Sequence, residues 1–381
     1  MARIVVMGGD GIGPEVVDAA RAVLDRVAGR LGLDLVYDHH LLHGACWDVH
    51  GEWVLDETVE AARWADAVLV GAEGGPKWDS MGLSGPLQER SGLSRLRYDL
   101  DLYANLRPAK PFPALFDETP FKPEVVRDVD LVILRELCGG VYFGLPKEIQ
   151  ALDDGTRRGV DTQVYTETEI ERIVRYGFEL ARSRRGRLCS VEKSNVMESG
   201  VLWREVATRL HADFPDVDLV HQLADNTAMQ LVRDPAQFDV VVADNLLADL
   251  LSDQAGMVCG SLGMLPSASF GDPLSDGHRP AIYEPVHGAA PDIAGRDLAN
   301  PIGAILSVAM MLRHSLTCPE GADLVEAALG DALDAGHRTR DLLRGGPLPG
   351  QAVVGCSGMR DAVLCAIDDR LAAATESDGG S

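Results

Sequence analysis

The chain has 381 residues, 46% of them hydrophobic and 25% charged, and carries a formal net charge of −24. That is room for two domains with a real core, in a composition ordinary for a globular protein. The acid excess excludes the basic face that nucleic acid or an anionic membrane would need, so an anionic substrate has to be met by locally clustered arginines.

Seven cysteines (Cys46, Cys138, Cys189, Cys259, Cys318, Cys356, Cys365) are odd in number and widely spread, with no C-x-x-C. The pattern points to a reducing compartment and to neither a disulfide framework nor a zinc site. The N-terminal MARIVVMGGDG lacks the basic-then-apolar layout of a signal peptide. No apolar run approaches the roughly 18 residues of a membrane span, so a cytoplasmic protein is expected.

In chain order, Arg3–Met7 reads as an apolar strand that runs into GGDGIGPEV and an amphipathic helix. Val16, Val17, Ala20, Val23, Leu24 and Val27 form its apolar face, Pro14 sits in its first turn, and Gly29 and Gly32 mark its exit. A G-x-G-x-x-G dinucleotide fingerprint would need glycine at Pro14, so that reading fails and a tight strand-to-helix turn accounts for the glycines. His39, His40 and His43 are read as surface residues. Further buried strands are expected at Ala67–Val70, Leu131–Leu134, Leu188–Val191, Leu219–His221 and Val240–Ala243. A helix from Thr168 to Arg185 is expected to open on a Thr168/Glu171 capping box. The alternation of strands and helices predicts an α/β protein with a largely buried sheet. Ile282–Pro301 (IYEPVHGAAPDIAGRDLANP) mixes prolines, glycines and polar residues too irregularly for a helix or strand, and reads as a ligand-wrapping loop. The small polar tail, residues 375–381, is expected to be disordered.

Two groups of side chains invite chemistry. Arg97, Arg107 in NLRP and Arg135 at the end of LVILRE stand where arginine forks can bind carboxylates bidentately. Asp249 and Asp253 in DNLLADLLSD are four apart on one helical face, an arrangement that repels itself unless a positive charge lies between. Oxygen-only ligands of this kind suit Mg²⁺ or Mn²⁺, and a solvated acidic face is the plain alternative.

These segments, with GDGIGPE, CGGVYFG, SVEKSN and LADNTAM, resemble the β-decarboxylating dehydrogenases, the family of isopropylmalate, isocitrate and homoisocitrate dehydrogenases. The resemblance runs from about residue 4 to residue 368. It implies a two-domain α/β fold that is not a Rossmann fold, with a discontinuous first domain (1–102 and 260–381, holding the cofactor) and a second, dimer-forming domain (103–259). It also implies a homodimer with shared active sites. Arg97, Arg107 and Arg135 would hold the carboxylates of a 3-substituted malate, and Asp225, Asp249 and Asp253 the metal. Glu284, His287, Gly288, Asp292 and Asn300, with Asn195, would bind the cofactor. An acid at Asp292 goes with NAD, because a carboxylate accepts hydrogen bonds from ribose hydroxyls but repels a 2′-phosphate. Lys193 would accept the C2 hydroxyl proton and Tyr142 would protonate C3 after CO₂ leaves. Lys193, Asn195 and Asp225 would come from the neighbouring subunit.

One segment departs from the family pattern. Counting back from Arg97, isopropylmalate dehydrogenases usually place glutamate where this chain has Arg90, and two leucines where it has Leu93 and Ser94. Arg90 and Ser91 are closer to the isocitrate branch. Placed on one helix, Arg90, Ser94 and Arg97 would share a face, and Arg90 would favour an anionic γ-group: isocitrate, homoisocitrate or a phosphonomethyl malate. A shift of the 79–90 loop that puts Glu89 in the acidic position would leave Arg90 outside. The default substrate is 3-isopropylmalate. The rivals are a metal-dependent hydrolase built on the aspartates, which would have no use for Lys193 and Tyr142, and a silent paralogue, which the intact motifs oppose.

Overall fold

The computed structural model describes residues 1–81, 85–275 and 277–378. Its strands, in chain order, are β1 (Ala2–Gly9), β2 (Leu35–His39), β3 (Ala67–Ala72), β4 (Ala104–Ala109), β5 (Leu131–Glu136), β6 (Glu148–Ala151), β7 (Arg157–Val160), β8 (Arg187–Glu192), β9 (Asp218–Leu223), β10 (Val240–Ala243), β11 (Pro266–Phe270) and β12 (Ala281–Pro285). Two further strands of two residues each, β13 (His337–Arg338) and β14 (Ala352–Val353), pair with each other, β6 and β7 form a hairpin, and the other ten join, among the described residues, in one sheet ordered β2-β1-β3-β12-β11-β4-β5-β10-β8-β9. The flanks are parallel, and the middle, β12-β11-β4-β5, is antiparallel. The chain therefore builds β1 to β3 on one flank, crosses to β4 and the other flank, and returns with β11 and β12 to close the gap.

The helices are α1 (Gly13–Leu31), α2 (His43–His50), α3 (Asp56–Trp64), α4 (Pro76–Asp79), α5 (Gly92–Asp99), α6 (Pro123–Val126), α7 (Glu167–Arg182), α8 (Glu198–Leu210), α9 (Ala224–Arg233), α10 (Asn245–Gly256), α11 (Ile302–His314), α12 (Pro319–Asp334) and α13 (Cys356–Asp378). Among the described residues no helix is long and apolar enough to cross a membrane. The two-residue alternation of β1 shows how the sheet is covered on both faces. Ile4 and Val6 enter a core shared with Val16, Val23 and Leu24 of α1 and Val308 of α11. Val5 and Met7 enter a smaller core with Leu42, Leu93, Leu96 and Ile282. The second core seats α5, which carries one of the candidate arginines.

All six expected strands lie inside observed ones, and α1 buries the six apolar residues named for it. Its C-cap is Gly32 in the left-handed region. The GDGIG turn has a definite job. At Gly11, with φ +55°, a Cβ would stand 2.0 Å from the carbonyl oxygen of Ala289, and the Ile12 amide donates to that same oxygen at 2.8 Å. The turn is a bracket for the segment around residue 289.

Four expectations need correction. The capping box is Thr166 with Glu169, whose carboxylate accepts from the Thr166 amide at 2.7 Å; Thr168 is already helical, and the helix ends at Arg182. TETE offers the same signature in two registers, and buried Tyr165, bonded to Glu136, pins the earlier one. Residues Ile282–Pro285 are not loop but most of β12, wholly buried and paired with β11 and β3. Long-range pairing overrides the local signals there, and Pro285 is tolerated at the strand's end. Finally, β9, expected to be buried, is an edge strand with Val220 exposed, while α13 runs to Asp378, into the tail that starts at residue 375. Residues 379–381 of that tail, and 82–84 of the 79–90 loop, lie outside the described residues.

Candidate active site

The candidate chemistry gathers where the antiparallel middle of the sheet meets α5 and α10. Arg107 projects from β4 and Arg135 from β5, both almost fully buried. Their charges are met from α10, whose start is fixed by the Asp244 carboxylate accepting from the Leu247 amide at 2.8 Å. Arg135 donates to Asn245 through Nε (3.0 Å) and Nη2 (2.8 Å), and through Nη1 to Asp249. Arg107 Nη1 reaches Ser252 Oγ at 2.7 Å, Asp249 at 3.3 Å and Asp253 at 3.7 Å. A positive charge thus lies between the two aspartates, which removes the repulsion their spacing would otherwise impose. Tyr142, in a 3₁₀ turn after β5, donates to the second oxygen of Asp249 at 2.5 Å, and its ring lies 5.0 Å from the Arg135 guanidinium carbon.

The electrostatics follow from this crowding. Burial, opposed by Arg135 and Arg107, leaves the Asp249 carboxyl below its ordinary range. Burial holds Asp253 above it. Burial and the neighbouring Arg135 push the Arg107 guanidinium down to about 10, still charged at neutral pH. Burial first, with Asp249 adding and Arg135 opposing, raises the Tyr142 phenol, so it keeps its proton at neutral pH.

Arg97 of α5 is paired with Glu284 of β12. Both line a small cavity of about 160 Å³ together with Glu73, Leu93, Arg107 and His287. Glu284, expected on the cofactor, is here the buried counter-ion of Arg97. His287 keeps Nδ1 3.0 Å from the Gly288 carbonyl, while its buried Nε2 has no hydrogen-bond partner among the described residues. Burial lowers its pKa, so the ring is neutral. Gly288 and Asp292 are exposed. Asn300 is buried and committed to the fold: its amide donates to Asp341 at 2.9 Å and its oxygen accepts from Ile302 at the start of α11.

Lys193, after β8, and Asp225, in the first turn of α9, form their own pair at 2.8 Å. Among the described residues no hydrogen bond or ion pair in this chain joins either to Asp249, Asp253 or Tyr142. Asn195 is exposed beside them.

The specificity segment departs from expectation. Helix α5 starts at Gly92, with Ser91 as its N-cap accepting from the Ser94 amide at 3.0 Å. Arg90 precedes the cap, so it shares no helical face with Ser94 and Arg97. It lines a different cavity, with Trp47, Trp53 and Tyr98, while Leu93 alone of the four divergent positions lines the cavity of Arg97. Ser91 and Ser94 are buried, with their hydroxyls 2.8 Å apart. A correction also concerns the histidines. His43 is buried against Glu73 at 3.3 Å, and His40 is part-buried on Thr58; only His39 is exposed. Sequence reading missed Glu73, Asn245 and Asp10. Asp10 takes the amides of Gly44, Ala45 and Gly74. The signal for Glu73 was an acid between a buried strand and a glycine pair, in GAEGG.

The isocitrate/isopropylmalate dehydrogenase family matches residues 3–363 of the chain. It is 52% identical to a 3-isopropylmalate dehydrogenase of Gluconobacter oxydans over 95% of this chain and 97% of that protein. To the Caulobacter vibrioides protein of the same name it is 54% identical, over 96% and 100%. An isocitrate dehydrogenase structure from Methylococcus capsulatus superposes with a TM-score of 0.83 at 32% identity, covering 96% of this chain and 99% of that one. The apo β-decarboxylating dehydrogenase of Thermococcus kodakarensis gives 0.76 at 34%, covering 98% of each. The chain is a member of the isocitrate/isopropylmalate dehydrogenase family.

Proposed function

We propose that the protein is an NAD- and divalent-metal-dependent dehydrogenase that oxidatively decarboxylates (2R,3S)-3-isopropylmalate to a 2-oxo acid. The observation that carries the reading is the meeting of Arg97, Arg107 and Arg135 with Asp249 and Tyr142 beside the apolar Leu93. The choice of substrate follows relatives more than half identical over nearly the whole chain, which bear that name.

The donor set fits a hard cation: Asp249 is held ionised, Asp253 is half-exposed one helical turn away, and both offer only oxygen. Asp225 would complete the set from a second copy. The unpartnered Nε2 of His287 fits a cofactor lying along Gly288 to Asp292, and the exposed Asp292 carboxylate suits ribose hydroxyls and therefore NAD. Held there, the cation would supply Lewis-acid polarisation at the substrate's C2 oxygen and NAD⁺ would supply the hydride acceptor. The three arginines bind and orient the two malate carboxylates. Lys193 Nζ takes the proton of the C2 hydroxyl, and Tyr142 Oη, which holds its proton, delivers it to C3 once CO₂ has left. Leu93 packs the isopropyl group.

We read the enzyme as a homodimer, supported by exposed Val196 in the loop of Lys193, Val220 on the edge strand β9, Met229 and Val232 on the helix of Asp225 and Leu250 on that of Asp249. The two flanks of the sheet, meeting at β11 and β4, we read as the two domains. Cysteines without disulfides suit the cytoplasm. The test is NADH formation from NAD⁺ and Mn²⁺ with 3-isopropylmalate. Turnover abolished by chelator and lost with NADP⁺ is expected; no NADH from any 3-substituted malate would sink the reading.

A further inference from the structure

Behind Leu93 lies a polar cluster that the reaction as described does not use. Glu73, just beyond β3, has its side chain 23% exposed, and it lines the Arg97 cavity. One oxygen accepts from Ser91 Oγ at 2.7 Å. The other accepts from the Leu93 amide at 3.0 Å and stands 3.3 Å from His43 Nδ1. His43 is 7% exposed and does not line the cavity. Its ring stacks on Trp53 at 4.7 Å, and its amide donates to the Trp53 carbonyl at 2.7 Å. Its φ is +51°, a backbone region that a residue with a Cβ rarely adopts. The ring is out of solvent with Glu73 as its one ion-pair partner; the 3.3 Å approach is electrostatic, since Nδ1 makes no hydrogen bond among the described residues, and Asp10 and Asp79 add to the same field.

Burial works against both charges, yet they prevail. His43, Ser91 and the Leu93 amide outweigh it and hold the Glu73 carboxyl below its ordinary range. Glu73 and Asp10 outweigh it for His43, whose pKa is raised. The cavity therefore meets an ionised carboxylate directly, while the His43 ring, its basicity raised by Glu73 and Asp10 against burial, stands behind it.

We propose that Glu73, held by His43, is a specificity-determining residue: it sets a fixed negative charge beside Leu93, where the 3-substituent lies, and excludes malates whose substituent is anionic. This rests on the dehydrogenase reading above. It replaces Arg90 as the element that decides the γ-group, with the opposite sign. Exclusion by like charge in a partly desolvated wall is discrimination by a repulsive element, and it needs no new contact to the accepted substrate.

The test compares kcat/KM for 3-isopropylmalate, isocitrate and the neutral amide that replaces isocitrate's third carboxylate, with NAD⁺ and Mn²⁺. The wild type should favour the amide over isocitrate, which has nearly the same shape, by about tenfold or more. Glu73→Gln should raise the isocitrate-to-isopropylmalate ratio by a similar factor. His43→Asn, which tolerates the left-handed backbone, removes the ring that faces Glu73 from behind and with it any positive charge that offsets the carboxylate, and should lower the ratio. A purely structural role would move both variants the same way, and that result, an unchanged ratio, or a wild type indifferent to the amide exchange would overturn the proposal. The amide comparison needs no variant, so misfolding of Glu73→Gln leaves the question decided. A wild type inactive on all three would instead overturn the dehydrogenase reading and take this inference with it.

Discussion

Two ion-pair systems lie on adjoining helices, α9 and α10, and they are built in opposite ways. Asp249 is gripped by Arg107, Arg135 and Tyr142, while Asn245, Ser252 and Asn105 take further guanidinium N–H groups. Lys193 is partly exposed and Asp225 faces solvent, its side chain 64% exposed, and among the described residues each is the other's ion-pair partner. The first group is satisfied within one chain and buried where unpaired charge would be costly. The second is a pair of reactive groups on a surface that also exposes large apolar side chains. The contrast is between a site already closed and a site that a second copy would close.

The largest effect tests that contrast directly. Lys193→Met should lower turnover about 10²–10⁴-fold with KM little changed. Co-expressed with Asp249→Asn, it should recover about a quarter of wild-type activity, because half of randomly assorted dimers are mixed and each mixed dimer keeps one intact site. Mixed dimers without activity would place both residues in the same chain's site. A second effect is on stability. Asp249→Ala leaves Arg135 without its counter-charge and Arg107 with Asp253 alone, and should cost roughly 3 kcal/mol by denaturant titration, whereas Asp225→Ala should leave the midpoint where it was. Folded Asp249 titrates below its ordinary 3.8. Its contribution is therefore full at neutral pH and is lost as pH falls below about that value, and the gap between wild type and Asp249→Ala should narrow there. The smallest effect lies outside both systems: Ser91→Ala removes the α5 cap and a partner of Glu73, and should cost about 1 kcal/mol.

The closed system was largely legible in the sequence. Asp249 and Asp253 at helical spacing, and arginines at strand ends, are local patterns whose physical meaning survives folding. What was not legible depended on partners far along the chain. His43 looked like one of three surface histidines because Glu73 lies thirty residues away. Glu284 looked like a loop residue because nothing nearby shows that β3 and β11 flank it. Arg90 was misplaced by a single residue, since a helix that begins at Gly92 leaves it outside, and the cap that decides this lies in the choice of Ser91 over its neighbours. In the TETE stretch two capping registers were locally equivalent, and only buried Tyr165 separates them.

The place of β12 in the sheet has a consequence for how the protein is made. β3 pairs with β1 on one side and with β12 on the other, and Ala281 leaves the ribosome 209 residues after Ala72. At roughly 5–20 residues per second, the inner edge of β3 waits about 10–40 s for its native neighbour. Throughout that interval the nascent N-terminal flank presents an apolar strand with open hydrogen bonds, a template for any other chain. The order in which the gene spells out these strands thus creates a period of vulnerability that the finished fold conceals, and the burden of guarding it falls on the cell's chaperones.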